Sequence, residues 1–377
     1  MAGDTGDKSS EDHTQEKHEP DEPYALMDGA EGEVDAIIRD VDAQRRIAVD
    51  PKSPLRLRLD AYEDIIDSQV GDTTMVRARN IEREMGLRQI FLKFEGGNPT
   101  GTQKDRIAFA QAMDAMRRGF ETVCVATCGN YGVSVAMAGS LSGLRSLIFI
   151  PQAYHTKRID EMIALGAQIR KVPGDYEAAV DASRRFARDN DCYDANPGGD
   201  NTMLQLQAYG EIAYEIYDEL RDAPAAVAAP VSNGTTLAGL YRGFLSLYRR
   251  GKTSHMPRIV AGSSFKKNPI IQSFLLGHDA CRDLSPTRIR ETTVNEPLIN
   301  WHAIDGDHAL RAVRDTNGWA ANASDKAMRR FSRLLREKEG LQVLPASTAG
   351  LIALMERHRR ESLAGDRYVV LLTGRKP

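Results

Sequence analysis

The chain reads as an α/β protein of two lobes, each with a mostly parallel sheet flanked by helices. Three observations predict this. Short apolar runs such as Thr122–Ala126, Ala226–Pro230 and Tyr368–Leu372 alternate with helix-length stretches, as βαβ units do. The turns from strand into helix are rich in Gly, Asn and Thr. The length, 377 residues, is that of two ordinary domains or one two-lobed enzyme. The expected division is an acidic extension over residues 1–55, an N-terminal lobe over 56–205 and a C-terminal lobe over 206–377, with the lobes interwoven.

Residues 1–23 are rich in Asp, Glu, Lys, Ser and His and nearly devoid of apolar residues, which predicts disorder. Glu33–Ala48 reads as a helix at the surface or at a subunit boundary. Globular patterning starts near Leu57. A turn at Gly71-Asp72-Thr73-Thr74 precedes a short strand, Met75–Arg77, and helix Arg79–Met85. Strand Ile90–Phe94 then runs into a loop, with Thr102 as the expected N-cap of a helix over Ile107–Arg118. Strand Thr122–Ala126 leads to helix Val133–Ser142, strand Ser146–Ile150 to helix His155–Leu165, and strand Gln168–Val172 to helix Tyr176–Asp189. Tyr193–Ala195 is a short strand before helix Met203–Leu220. In the second half, strand Ala226–Pro230 precedes helix Leu237–Arg249, and Arg258–Gly262 is a further strand. Pro269–Leu276 starts a helix and Pro286–Asn300 is loop-rich. Helices Asp307–Asp315 and Asp325–Glu339, strand Leu341–Leu344, helix Ser347–Arg360 and strand Arg367–Leu372 complete the series.

Net charge is −3, which implies neither a nucleic-acid nor an anionic-membrane partner. No apolar run is long enough to span a bilayer, and the N-terminus carries no apolar signal-like segment. The four cysteines form no Cys-x-x-Cys pair, so a zinc site is not expected, and reduced thiols in a cytoplasm fit best.

Three strand-to-helix turns and one strand end carry the chemistry, at the strand ends where open α/β sheets place ligands. The first, Asn98-Pro99-Thr100-Gly101-Thr102-Gln103-Lys104-Asp105-Arg106, sets Lys104 in the first turn of a helix. Orphan N–H groups there disfavour a cation, and a neutral amine is what a Schiff base with an aldehyde requires. The second, Thr127-Cys128-Gly129-Asn130-Tyr131-Gly132, offers backbone donors and the Asn130 amide. The third, Ser232-Asn233-Gly234-Thr235-Thr236, offers hydroxyls and N–H groups at a helix start, an anion site without a side-chain cation. Neither Gly-x-x-x-x-Gly-Lys-Ser/Thr nor Gly-x-Gly-x-x-Gly occurs, so a small monophosphate is favoured over a nucleotide. Thr373, after an apolar strand, could meet a ring nitrogen. Each feature alone also reads as an ordinary turn or strand terminator. Together they are what pyridoxal 5'-phosphate requires.

These four segments, in this order over residues 70–374, closely resemble those of fold-type II pyridoxal-phosphate enzymes of the threonine synthase family, with a tryptophan synthase β-like architecture. The resemblance implies that Lys104 carries the cofactor and moves the Cα proton, that Asn130 meets the ring hydroxyl, that Ser232, Asn233, Gly234, Thr235 and Thr236 hold the phosphate, and that Thr373 faces the ring nitrogen. It implies a homodimer acting on a phosphorylated amino acid, O-phosphohomoserine, to give threonine. O-Phosphoserine β-replacement, as in cysteate or cysteine synthases, and serine/threonine dehydration are the rival reactions, and a non-catalytic binding protein is the rival class. Thr127, Cys128, Gly129 and Tyr131 are expected near the substrate. Arg106, Arg158, Lys157, Lys266 and Lys267 are candidate cations for its phosphate. The chain has Thr102-Gln103 where the family more often has Ser-Phe, Cys128 for Ser, and Ser232 for Gly. Those departures bear on the substrate rather than the cofactor.

Overall fold

The computed structural model describes residues 40–127, 129–154, 158–364 and 366–376, with Arg288 described by its backbone alone. The expected helix at Glu33–Ala48 is described from residue 40, and residues 40–49 are helical. The disorder expected over residues 1–23 falls outside the described residues.

From residue 44 on, the chain forms one compact unit built on two sheets. Helix α1 (Leu55–Gln69) precedes β1 (Met75–Arg77), α2 (Arg79–Met85) and β2 (Ile90–Phe94). Next come α3 (Lys104–Arg117), β3 (Thr122–Ala126), α4 (Asn130–Ser142), β4 (Arg145–Pro151) and α5 (Arg158–Ala164). They are followed by β5 (Gln168–Val172), α6 (Tyr176–Asp189), β6 (Tyr193–Asp194) and α7 (Thr202–Leu220). The later part holds β7 (Ala226–Pro230), α8 (Thr235–Arg249), β8 (Arg258–Ser264), α9 (Pro269–Leu275) and α10 (Gly306–Asp315). It ends with β9 (Trp319–Ala323), α11 (Asp325–Glu339), α12 (Ala349–Arg360) and β10 (Tyr368–Leu372).

The smaller sheet has the order β5-β4-β3-β6 and is parallel throughout. The larger has the order β1-β2-β10-β7-β8-β9, parallel except for β1, which pairs antiparallel with β2. Strands from residues 75–94 thus share a sheet with strands from residues 226–372, and residue 205 lies within α7. Burial follows position. β7 and β10 are buried at every residue, as inner parallel strands covered on both faces must be. The edge strands β1 and β5 have no buried residue, every position being exposed or half-buried.

Two expectations fail. Leu341–Leu344 is not a strand; only Val343 makes an isolated bridge, to Arg375. The strand lies earlier, at Trp319–Ala323, where Ala-Ala-Asn-Ala after the tryptophan lacks a strong apolar pattern. Several helices also start earlier than their apolar pattern predicts. α3 starts at Lys104, α4 at Asn130 and α8 at Thr235, so the polar loop residues form the first helical turns.

Candidate active site

The lysine loop follows β2 and is fixed from several sides. Asn98 donates to the Glu95 carbonyl and carboxylate at 3.0 Å and accepts from Gly71 N at 3.0 Å. Asp105 accepts from the Thr100 backbone at 2.8 Å and from its hydroxyl at 2.7 Å. Gly101 sits at φ +83°, a backbone shape that favours glycine, and a Cβ there would meet Arg375 at 2.6 Å. The loop is also sewn to the segment after β10. Gln103 N donates to Thr373 O at 3.0 Å, Arg375 N donates to Gly101 O at 2.9 Å, and Thr102 bridges Gly374. Thr102 does not cap the helix as expected. The cap position is Gln103, and the Thr102 hydroxyl accepts from Lys104 N at 3.3 Å.

Lys104, Asn130, Ser232, Asn233, Gly234, Thr235, Thr236 and Thr373 all line one cavity of about 710 Å³. The topology explains the meeting, because β2, β3, β7 and β10 each deliver their C-terminal end to it. The Lys104 amine lies 5.9 Å from the Tyr131 ring centre and 5.8 Å from that of Tyr209. Loss of water around the amine pulls its pKa down to about 8, against an opposing pull from Asp305. Burial is therefore what brings the amine within reach of the neutral form expected at this position.

In the third loop, Gly234 stands at φ +100°, and a Cβ there would come within 2.7 Å of the Asp305 carbonyl. The backbone N–H groups that open α8 have no helical partner and are free to face an anion. Gln103 donates to the Thr236 hydroxyl at 3.0 Å, tying the lysine loop to this loop, while its own amide oxygen is buried without a partner. The Thr235 hydroxyl donates to Asp305 Oδ2 at 2.5 Å. Thr373 Oγ1 lies 3.0 Å from Ser347 Oγ. A glycine-shaped cradle with backbone donors at the start of α8 and an amine whose pKa is lowered by burial fit a phosphorylated aldehyde cofactor.

The substrate residues divide. Thr127, Gly129 and Tyr131 line the cavity, but the Tyr131 hydroxyl is committed to the core, donating to Ala195 O at 2.8 Å and accepting from Gln111. Cys128 and Lys157 fall outside the described residues. Arg106 is a correction. Its guanidinium meets Glu95 and Glu215, each at 2.6 Å, and it does not line the cavity. Arg158 pairs with Glu161 at 3.0 Å and is not on the wall either. Lys266 and Lys267 also lie off it, with Lys267 Nζ donating to Arg290 O. Among the described residues, Lys104 is the one lysine or arginine that lines the cavity, beside Asp175, Glu177, Glu291 and Glu296. Glu296 accepts from the Tyr154 hydroxyl at 3.2 Å, and burial with the neighbouring Glu291 charge raises its carboxyl pKa.

Fold and site define a lysine-centred α/β enzyme whose ligand sits at the converging ends of two parallel sheets. The sequence pattern of the pyridoxal-phosphate dependent enzymes matches residues 66–374. The chain belongs to that family, has the fold-type II architecture and depends on pyridoxal 5'-phosphate. It is 27% identical to the threonine synthase of Methanocaldococcus jannaschii over 305 residues, covering 80% of this chain and 74% of that one. It is 26% identical to the threonine synthase of Mycobacterium tuberculosis over 291 residues, 76% of each chain. Among solved structures, maize serine racemase superposes with a TM-score of 0.70 at 18% identity, covering 85% of this chain and 92% of that one. The serine racemase of Dictyostelium discoideum does so with a TM-score of 0.68 at 15% identity, covering 85% and 97%.

Asp305, Ser347 and Tyr209 complete the site and went unread in the sequence. None belongs to a motif, and each lies far along the chain from the loop it supports. Among the described residues, no helix is long and apolar enough to cross a membrane.

Proposed function

We propose that this chain is a lyase that removes the Cα proton of an amino acid and expels a substituent from its side chain, as threonine synthases do with O-phosphohomoserine. The observation that carries the general reading is the pairing of a lysine amine poised near neutrality with the Thr373–Ser347 hydroxyl pair. Bound here, pyridoxal phosphate would supply an electron-withdrawing ring that stabilises negative charge at Cα. Lys104 would hold the cofactor and then take and return the proton. Asn130 would contact the ring hydroxyl, and the Ser232–Thr236 loop would bind the phosphate. Thr373 would face the ring nitrogen. A hydroxyl does not hold that nitrogen protonated as a carboxylate would, which favours elimination and replacement over transamination. Gly129 and Thr127, beside the start of α4, would receive the substrate carboxylate.

The threonine synthase relatives favour O-phosphohomoserine, with water added at Cβ after phosphate leaves. A second reading has its own support. The wall carries Asp175, Glu177, Glu291 and Glu296, a poor setting for a departing phosphate, which favours dehydration of serine or threonine. Product analysis separates the two. Phosphate with threonine supports the first; ammonia with a 2-oxo acid from threonine or serine supports the second. The homodimer and the cytoplasmic setting belong to the same proposal, and light scattering on the purified protein checks the first of them.

A further inference from the structure

The loop read as the phosphate cradle has a carboxylate built into it. Asp305, 2% exposed, precedes α10, and its backbone N–H donates to Asn233 O at 3.0 Å. Its side chain takes the one proton the Thr235 hydroxyl can donate, at 2.5 Å. A phosphate dianion accepts hydrogen bonds only. For Thr235 to donate to it, the hydroxyl must turn from Asp305 and leave a buried, charged and unpaired carboxylate beside a second anion. Either consequence alone is costly.

One rearrangement removes both costs. If Asp305 takes up a proton, its carboxylic O–H donates to a lone pair of Thr235 Oγ1, and the Thr235 hydroxyl is released toward the phosphate. The proton comes from solvent, or from the phosphate itself when it arrives as the monoanion, and no other bond changes. We infer that Asp305 is a positioning residue that captures a proton as the cofactor phosphate binds, passing a donor to it through Thr235. This rests on the reading of Ser232–Thr236 as the phosphate cradle. Burial already raises the Asp305 pKa, with the Thr235 hydrogen bond opposing. The charged groups acting on it are His308 from its own helix and Lys104 from α3, both favouring the carboxylate. Cys281, behind Gly306, donates its backbone N–H to Asp307 at 2.7 Å.

The test is binding of pyridoxal 5'-phosphate, and of pyridoxal without the phosphate, to the cofactor-stripped full chain between about pH 6 and pH 9. Asp305→Asn serves as the comparison, since its amide donates to Thr235 at every pH. The ratio of wild-type to D305N dissociation constants for pyridoxal 5'-phosphate should rise with pH, by up to about tenfold per unit, as one linked proton requires. Calorimetry in buffers of different ionisation enthalpy should show about one proton more taken up by the wild type than by D305N. A ratio independent of pH, with pyridoxal 5'-phosphate still bound far more tightly than pyridoxal, overturns the role of Asp305 and leaves the cradle standing. Equal affinity for the two forms of the cofactor overturns the cradle itself.

Discussion

Lys104 and Arg106 stand two residues apart in the first turn of one helix and live in opposite electrostatic worlds. Arg106 is 5% exposed and sits among Glu95, Glu215, Lys93 and Thr73, with Lys93 Nζ 2.5 Å from Glu215. Its carboxylate neighbours outweigh burial and drive its pKa up. Lys104, facing the cavity, feels only the weaker pull of the Asp305 carboxylate, and burial outweighs it and brings the pKa down. Burial alone therefore decides nothing about a cation. The carboxylates on the other side of the helix do. One cation is held charged to brace the loop, and its neighbour is left able to lose its proton.

The comparison breaks most sharply at Lys104 itself. Lys104→Ala should lower turnover by roughly 10⁴-fold or more and abolish the yellow colour of the holoenzyme, while thermal unfolding shows an intact fold. A yellow and active variant would remove the assigned role. Arg106→Ala should act the other way round. It leaves Glu95 and Glu215 buried without their partner and should cost about 3–5 kcal/mol of stability in urea unfolding. A change below about 1 kcal/mol would show the network to be dispensable. Thr373→Val should be milder, roughly tenfold in kcat, about 1.4 kcal/mol of barrier, with little change in Tm. A Tm collapse would mark Thr373 as a structural residue instead.

The smallest effects are in pH. Lys104 has a folded pKa of about 8 against 10.5 in the open chain, so between those values the unfolded form binds more protons and the stability of the cofactor-free protein should rise with pH. Glu215 falls from 4.5 to about 2, so its contribution is complete above the higher value and fades as pH drops through the lower. Lys104→Met should flatten the alkaline slope and Glu215→Gln the acid one, both read by urea titration. Slopes unchanged in both variants would refute the assignment.

The α/β class was legible because inner strands such as Ala226–Pro230 are apolar at every position and buried on both faces. The site loops were legible because their Gly, Asn and Thr residues interrupt a strand before a helix. Neither kind of signal reports on partners distant in the chain. Arg106 looked like a phosphate ligand because Glu215, 109 residues on, carries no motif. Asp305 reaches Thr235 across 70 residues from an unremarked helix start. Trp319–Ala323 was missed for a local reason, since Ala-Ala-Asn-Ala offers little periodic contrast while Leu341–Leu344 offers more.

The stitching of Thr102 and Gln103 to Thr373 and Gly374 sets an order of events during synthesis. β2 pairs with β10, which reaches the ribosome exit more than 270 residues after it. Until Arg375 has emerged, the lysine loop lacks both its strand neighbour and the backbone that fixes Gln103. A nascent chain can form the parallel sheet of β3 to β6 early, since all its strands lie between residues 122 and 194, but it has nowhere to keep its cofactor. Capture of a reactive aldehyde is thereby deferred until translation has passed the last strand.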